Sequence, residues 1–385
     1  MSNRNRSITL PARSRLILHK FDPSTPAPGG IDTCIRGIIK YGDPEEALAI
    51  VGVSSEEGAD TGIGVWSERE LYGRTFQFLP VASLDPGNQI RRMPHSALIG
   101  AGLVRYKNRV PRTQYLQTHR ADLGLLGSSL LTGRHDYFIH TQESGILGAD
   151  SDSFWKRAGS IHRGVEKRVV KRASRVRVFN PTYAETVAQW NPHTKASPTW
   201  WDPELIRPRA AGARRSRKLL WVGRLEQPKV PSLALETLRV LRDTAPEEDW
   251  SLRIVGTGNL VGELKASSRG LGLEDYVTFV GRLRPDEVMQ EMADASILMM
   301  TSVAGYEGFP RVLVEGLANG LSAVVTHGAD TGGLVADGMN GYRAAPNATD
   351  FARRVREAIA LRPEDSRISV EHLSAPRVVE ALYAN

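Results

Sequence analysis

From Leu219 onward the chain repeats one pattern: a short apolar run ending in Gly or another small residue, then a helix-length stretch with one apolar face. Leu219–Gly223 precedes a helix near Leu233–Thr244, and Ser251–Gly256 precedes one near Leu260–Gly270. Val277–Gly281 precedes Asp286–Ala293, where Pro285 suits a first helical turn because its missing N–H has no partner to lose there. Ala295–Ser302 leads through a Gly-containing loop to a helix near Val312–Asn319, and Ser322–His327 leads to a last helix near Asp350–Leu361. Short apolar runs separated by amphipathic helices are strands buried on both faces. Their alternation with helices dictates a parallel sheet covered on both sides, an α/β doubly wound domain.

The first half repeats the pattern less cleanly. Arg15–Phe21 and Ala47–Val53 read as strands with a helix, Ile31–Tyr41, between them. Phe76–Val81, Gln114–His119 and Tyr137–Thr141 read as further strands, Val165–Ala173 as a helix and Val176–Asn180 as the last strand of this half. Asn191–Arg217, rich in Pro, Trp, Ala and Arg, has neither period and reads as connecting chain. A length of 385 residues supports two domains, expected at 1–195 and 218–367 with 196–217 as linker. Two Rossmann-like domains of this kind are expected to face each other across a cleft, with the ligand beyond the carboxyl ends of the strands.

Charge and cysteine content narrow the partner. Lys and Arg total 50 against 43 Asp and Glu, a formal charge of +7. The excess is local: nine basic residues face one acid, Glu166, between Lys156 and Arg177, and six face none between Arg207 and Lys218. Such runs suit a phosphorylated ligand or an anionic bilayer, or simply a solvated helix face. No helix-turn-helix, zinc finger or aromatic platform accompanies them, so nucleic acid is not an expected partner. No run approaches the ~18 apolar residues of a membrane span, and none of signal-peptide length follows the basic N-terminus. The chain therefore reads as cytoplasmic. The single cysteine, Cys34, excludes an internal disulfide and a thiolate-built metal site.

Four segments can carry chemistry. Gly29-Gly30 lies between a strand and a helix, where amides unobstructed by side chains make an anion site, although a Gly pair also suits a tight turn. Gly256-Thr257-Gly258 occupies the equivalent place in the second half. In Gly223-Arg224-Leu225-Glu226-Gln227-Pro228-Lys229 two cations follow a strand end, the first able to hold a diphosphate by a fork, the second as a point charge. In Glu307-Gly308-Phe309-Pro310-Arg311-Val312-Leu313-Val314-Glu315 a helix should begin near Pro310 or Arg311, offering the amides of residues 309–312 to a phosphate. Two carboxylates in that neighbourhood read better as acceptors for sugar hydroxyls than as structure.

These residues resemble the nucleotide-sugar domain of retaining glycosyltransferases, family 4, of the two-domain GT-B fold. The likeness rests on Gly-Arg-Leu-x3-Lys at 223–229, Ile-Val-Gly-x-Gly at 254–258, Val-x-Phe-Val-Gly at 277–281, and Glu-x7-Glu running into Gly316-Leu-Ala-Asn-Gly320. Gly332-Gly333 and Gly338-x2-Gly341 follow in the family's order. The first half is similar to the acceptor-side domain more loosely, through Pro28-Gly29-Gly30, His119 at a strand end and Glu166 to Ser174 before Val176.

The resemblance implies that Arg224 and Lys229 neutralise the donor diphosphate and the departing nucleotide, and that Glu315 accepts from ribose hydroxyls. It further implies that Glu307 contacts the donor sugar, that Gly308 and the amides of Phe309, Pro310, Arg311 and Val312 hold phosphate, and that Gly256 and Gly258 lie at the donor site. Gly29 and Gly30 would close the diphosphate site from the opposite domain, Arg282 would border the nucleobase, and His119 would contact the sugar near the reacting carbon. The terminal stretch 368–385 would return to the first domain.

Three departures stand out: Val230 follows Lys229 where the family usually has Gly, four residues rather than two separate Ser302 from Glu307, and His140 rivals His119 at the next strand end. No Asp-x-Asp pair is placed to hold a metal–diphosphate, the nearest being Asp150-Ser-Asp152 in a polar loop, so no metal or other cofactor is expected. The expected activity is retaining transfer of a hexose from a UDP- or GDP-sugar to a glycan or lipid-linked acceptor. A sugar-nucleotide epimerase, a phosphorylase, a silent nucleotide-sugar-binding scaffold and a basic adaptor are the alternatives; a phosphorylase would need a cofactor-binding lysine motif that is not found.

Overall fold

The computed structural model describes residues 8–27, 29–55, 62–84, 95–140, 159–207 and 216–384. The chain forms two compact units, Met1–Ser197 with Val379–Asn385, and Pro198–Val378. Pro28, Thr141, the Asp150–Asp152 pair, Lys156 and most of the basic run after Arg207 lie outside the described residues.

The first unit contains β1 (Ser14–Leu18), α1 (Gly30–Tyr41), β2 (Ala47–Ser54), β3 (Ser67–Leu71), β4 (Arg74–Ser83), α2 (His95–Tyr106) and β5 (Tyr115–Thr118). It continues with α3 (Ala121–Leu130), β6 (Arg134–Ile139), α4 (Gly159–Arg172), β7 (Arg175–Val178), α5 (Pro181–Ala188) and β8 (Thr194–Ala196). Among the described residues these strands form one sheet, ordered β3-β4-β2-β1-β5-β6-β7-β8. β3 pairs antiparallel with β4, and all the other neighbouring pairs of this sheet are parallel. The central strands are buried on both faces, as a parallel sheet requires: all five residues of β1 are buried.

The expectation that Val176–Asn180 ends this half is corrected, because α5 and β8 follow β7. Asn180 caps α5 by accepting from the Tyr183 N–H at 2.8 Å, with Pro181 at the first helical position. β8 then pairs with β7 through Val176, Arg177 and Val178.

The second unit contains β9 (Lys218–Val222), α6 (Ser232–Thr244), β10 (Ser251–Val255), α7 (Val261–Gly270), β11 (Val277–Gly281), α8 (Pro285–Asp294) and β12 (Ile297–Met300). After these come α9 (Arg311–Ala318), β13 (Ser322–Thr326), β14 (Gly341–Ala344), α10 (Ala348–Ala358), α11 (Pro363–Ser369) and α12 (Ala375–Tyr383), whose last residues belong to the first unit. The sheet is parallel, ordered β11-β10-β9-β12-β13-β14. Part of the stretch read as linker is built into this unit. The Trp201 N–H donates to the Leu373 carbonyl at 3.1 Å, and the Arg207 N–H donates to Asn319 Oδ1 at 2.9 Å. Among the described residues no helix is long and apolar enough to cross a membrane.

Candidate active site

In the second sheet β9 has β10 on one side and β12 on the other, so the strand order reverses between β9 and β12. Loops leaving adjacent strands in opposite directions open a crevice at their carboxyl ends, the usual ligand position in open α/β sheets. The loop after β9 supplies Arg224 and Lys229; the loop after β12 supplies Ser302, Tyr306 and Glu307. Lys229 Nζ lies 2.5 Å from Glu307 Oε1, which also accepts from Ser302 Oγ at 2.5 Å. The Lys229 carbonyl accepts from Thr301 Oγ1 at 2.7 Å, and that hydroxyl accepts from the buried Trp221 Nε1 at 2.9 Å, so core packing fixes the lysine backbone. Arg224 pairs with Glu226 at 2.9 Å and donates to the Tyr306 hydroxyl at 3.1 Å, which in turn donates to Glu226 at 2.6 Å. Burial, then the bond to Glu226, pushes the Tyr306 phenol well above its ordinary range. The enlarged loop before Glu307 thus brings Tyr306 onto Arg224, a contact the sequence reading did not anticipate.

The two carboxylates read as poor structure both have cationic partners. Glu307 has Lys229, and Glu315 pairs with Arg311 Nε at 3.1 Å, one turn back on α9. Burial raises the Glu315 carboxyl above its ordinary value, and Arg311 opposes that. These pairings allow both acids inside the fold, since an unpaired buried charge costs several kcal/mol. α9 begins after Pro310 with no side-chain cap and no acid in its first turn, leaving its positive end open to an anion. Pro310 has no N–H, so within 309–312 the donors are Phe309, Arg311 and Val312, which corrects the expected set. Among the described residues Arg311 Nη1 is buried and meets no acceptor, an unmet donor at this helix start. Gly308 is held through its carbonyl by Thr331 Oγ1, and a Cβ on Gly332 would lie 2.8 Å from the Phe309 ring.

Gly256 and Gly258 have a firm structural cause. A Cβ on Gly256, whose φ is 135°, would lie 1.8 Å from the Gly223 carbonyl oxygen, and one on Gly258 would lie 2.1 Å from the Leu225 oxygen. The loop after β10 therefore packs backbone to backbone against the Arg224 loop, locked by the Leu225 N–H to Thr257 carbonyl bond at 2.9 Å. The Gly256 N–H bonds the Gly281 carbonyl at 2.8 Å, which brings exposed Arg282 to the edge of the same crevice. Gly29 and Gly30 differ: Gly29, at φ 120°, precedes α1, and among the described residues a Cβ on either would meet nothing within 4 Å.

The first sheet reverses at β1, flanked by β2 and β5, and its carboxyl ends carry His19 after β1, His119 after β5 and His140 after β6. His119 is buried. Its Nε2 lies 2.9 Å from Gln117 Nε2 and its Nδ1 lies 2.8 Å from His140 Nε2. Burial pushes His19 and His119 well below the ordinary histidine range and His140 down to about 3. His119, expected to contact a sugar directly, has both ring nitrogens engaged. Partly exposed His140, stacked on Phe179 at 4.4 Å, is the outer member of the pair. Neighbouring Arg120 and Asp122 pair with each other at 2.7 Å. Cys34 Sγ and one nitrogen of each of His119 and His140 lie within 4.8 Å of one another.

α4 exposes Ile161, Arg163, Lys167, Arg168, Lys171 and Arg172. Its acid, Glu166, turns inward and accepts from the Tyr183 hydroxyl at 2.5 Å. Arg175 and Arg177, counted with this run, instead donate inward to the Tyr383, Leu382 and Ala384 carbonyls.

Residues 204–371, within the second unit, match the family model described as glycosyl transferases group 1. Over 139 residues the chain is 27% identical to the lipopolysaccharide 1,6-galactosyltransferase of Salmonella typhimurium, covering 35% of this chain and 37% of that protein. The match thus spans little more than a third of that relative's length. Sucrose-phosphate synthase from Thermosynechococcus elongatus is similar in structure, with a TM-score of 0.72 at 18% identity over 96% of this chain and 95% of that one. HepE from Anabaena in complex with UDP-glucose is also similar, with a TM-score of 0.69 at 17% identity over 96% of this chain and 98% of that one. These likenesses are of fold, and each unit has the Rossmann-like parallel sheet of GT-B glycosyltransferases.

Proposed function

We propose that this chain, with its glycosyl transferases group 1 domain, is a retaining glycosyltransferase. It would move a hexose from a UDP- or GDP-sugar to a hydroxyl of a glycan or lipid-linked acceptor without a metal. The supporting observation is the meeting of Arg224, Lys229 and the uncapped start of α9 where the second sheet reverses. Arg224 and Lys229 exchange their carboxylate partners for the donor diphosphate, while the Arg311 and Val312 amides and Arg311 Nη1 take further phosphate oxygens. Glu307, released by Lys229, accepts from donor-sugar hydroxyls, and Glu315 accepts from the ribose. The glycosidic C–O bond to phosphate breaks as the acceptor oxygen adds to the same face, and the acceptor proton passes to the departing phosphate oxygen. Preorganised cations and amides facing that oxygen supply the largest part of the rate. Taken by itself, the first unit offers a neutral donor to a hydroxyl at His140, with His119 behind it, and the amides at the start of α1 after Gly29-Gly30 to an anion. The cationic face of α4, with exposed Ile161, suits peripheral contact with an anionic bilayer that carries a lipid-linked acceptor.

The test is binding and hydrolysis across UDP-, GDP- and ADP-sugars, beginning with UDP-glucose, with Arg224→Ala and Glu307→Ala as controls. Turnover or micromolar binding of one donor, lost in both variants, supports the reading. No response to any donor at low and moderate salt returns the chain to the silent-scaffold or adaptor alternatives.

A further inference from the structure

We propose that Gln117 is a positioning residue which, held by Arg15 and Tyr383, fixes the protons of the histidine pair: His119 carries its proton on Nδ1, and so does His140. The inference follows from which groups can only donate. A guanidinium has no acceptor. Arg15 Nη1 lies 3.3 Å from Gln117 Oε1, and the Tyr383 hydroxyl donates to the same oxygen at 2.8 Å. Arg15 is itself immobilised by Glu46 at 2.8 Å and Asp136 at 2.7 Å, and stacks on the Tyr383 ring at 4.0 Å. The carbonyl end of Gln117 is thereby committed to these donors, and its NH2 end faces His119 Nε2 at 2.9 Å. An amide NH2 only donates, so that nitrogen of His119 must accept. In a neutral imidazole the other nitrogen then carries the proton. His119 Nδ1–H donates to His140 Nε2 at 2.8 Å, which leaves the His140 proton on its own Nδ1.

The chain of bonds is directional, running from a cation at the start of β1 to a partly exposed ring at the end of β6. Both rings stay neutral because burial penalises their charged forms. The far end is therefore a fixed neutral donor, neither a cation nor a general acid. That this donor meets a sugar hydroxyl rests on the function proposed above; the proton positions do not.

Long-range 1H–15N correlation spectra of the full chain, uniformly labelled with 15N, report the tautomer of each histidine directly. Both His119 and His140 are expected as Nδ1–H forms at pH 7. In Gln117→Glu an ionised carboxylate can only accept, so His119 should switch to the Nε2–H form. An Nε2–H tautomer at either ring in the unsubstituted protein overturns the proposal. So does an unchanged His119 tautomer in a folded Gln117→Glu variant. Should that variant not fold, Gln117→Met removes the directing amide, and a mixture of tautomers at His119 is then expected; a single unchanged Nδ1–H form would overturn it. None of these readouts requires transfer activity, so failure of the donor reading leaves the test intact.

Discussion

The two sheets have crevices at equivalent topological points, yet fill them with opposite chemistry. Beyond β9 and β12 stand Arg224, Lys229, Glu226 and Glu307, charged groups each held by a partner of the other sign. Beyond β1, β5 and β6 stand His19, His119 and His140, rings kept neutral by burial. Topology explains why both sites exist where they do; side-chain chemistry decides what each can accept. A charged crevice whose Arg224 and Lys229 already rest on carboxylates can take up a dianionic ligand by exchanging partners. Neutral rings gain nothing from a charged ligand and suit hydroxyls, while an anion on this unit would meet the amides at the start of α1 instead.

The largest expected effect tests that division. Arg224→Ala or Lys229→Ala should each lower the transfer rate by ~10²–10³-fold, the usual loss when one preorganised donor to a developing oxyanion is removed. Lys229→Ala carries a second penalty, because Glu307 loses its cation inside the fold. Cys34→Ser, in the neutral crevice, should change the rate by no more than a few-fold. Steady-state kinetics on one donor decide it: a Cys34→Ser loss as large as the Arg224→Ala loss would erase the distinction.

Glycines offer a second contrast. In Gly256→Ala the new methyl would overlap the Gly223 carbonyl and force two loops apart. A loss of ~1–3 kcal/mol is expected from overpacking, with a melting temperature lower by roughly 2–4 °C per kcal/mol for a unit of this size. Gly30→Ala points into open space at the start of α1 and should leave the melting temperature unchanged or slightly raised. If both variants melt alike, close backbone approach is not what requires Gly256.

Acid should separate the units next. His135 is lowered to about 4 and His140 to about 3, both by burial. Between 6.5 and those values the unfolded chain binds protons that the native rings refuse. Their contribution to stability is thus complete above pH 6.5 and falls as pH drops toward 3, by up to ~1.4 kcal/mol per pH unit for each ring. Glu315, raised by burial, has the opposite sign: its contribution weakens as pH rises through its raised value. Thermal melts from pH 7 to 4, followed by hydrogen exchange in each unit, should show the first unit loosening first. His140→Gln should flatten its slope.

The sequence was most legible where apolar strands and amphipathic helices alternate, and in the second unit each strand read from β9 to β13 lies at or near its expected place. β14 escaped notice because Gly341–Ala344 is four residues long with one exposed side chain. The first unit was harder for identifiable reasons. α3 is rich in Gly and Ser and lacks a polar stripe. Gly124 and Gly127 are needed there because a Cβ would lie 3.0 Å from Thr118 and Val169 atoms in one case and 2.9 Å from Leu18 in the other. β3 is an exposed edge strand, Ser-Glu-Arg-Glu-Leu, joined to β4 through Tyr72-Gly73 with φ of 55° and 73°. That is the left-handed turn hairpins favour, made without the usual Asn-Gly signal. At the candidate site, residue types and spacing exposed the cations and carboxylates, but not that they pair with one another, nor that Tyr306 and Gln117 hold Arg224 and His119. Those contacts join residues 82 and 2 positions apart, and only the folded chain shows which neighbours face each other.

The smallest expected effect compares two strained residues, one per unit. Among the described residues Tyr72 and Val230 are the non-glycine positions with positive φ, at 55° and 43°. A left-handed conformation costs an L-residue about 1–2 kcal/mol, and glycine escapes that cost while losing more chain entropy on folding, by ~0.5–1 kcal/mol. Tyr72 is 51% exposed, so Tyr72→Gly sacrifices little packing and should shift stability by a few tenths of a kcal/mol toward the folded state. Val230 packs against the core beneath β9 and α6, so Val230→Gly loses apolar contact worth ~1–2 kcal/mol and should be neutral or mildly destabilising. The difference between the two melting shifts isolates the packing contribution of Val230, since the relief of strain is common to both. If Val230→Gly raises the melting temperature as much as Tyr72→Gly, the valine is an unrelieved strain in the Lys229 turn. If it lowers the melting temperature by several degrees, packing under the turn is what keeps Val230 in a conformation that glycine would adopt freely.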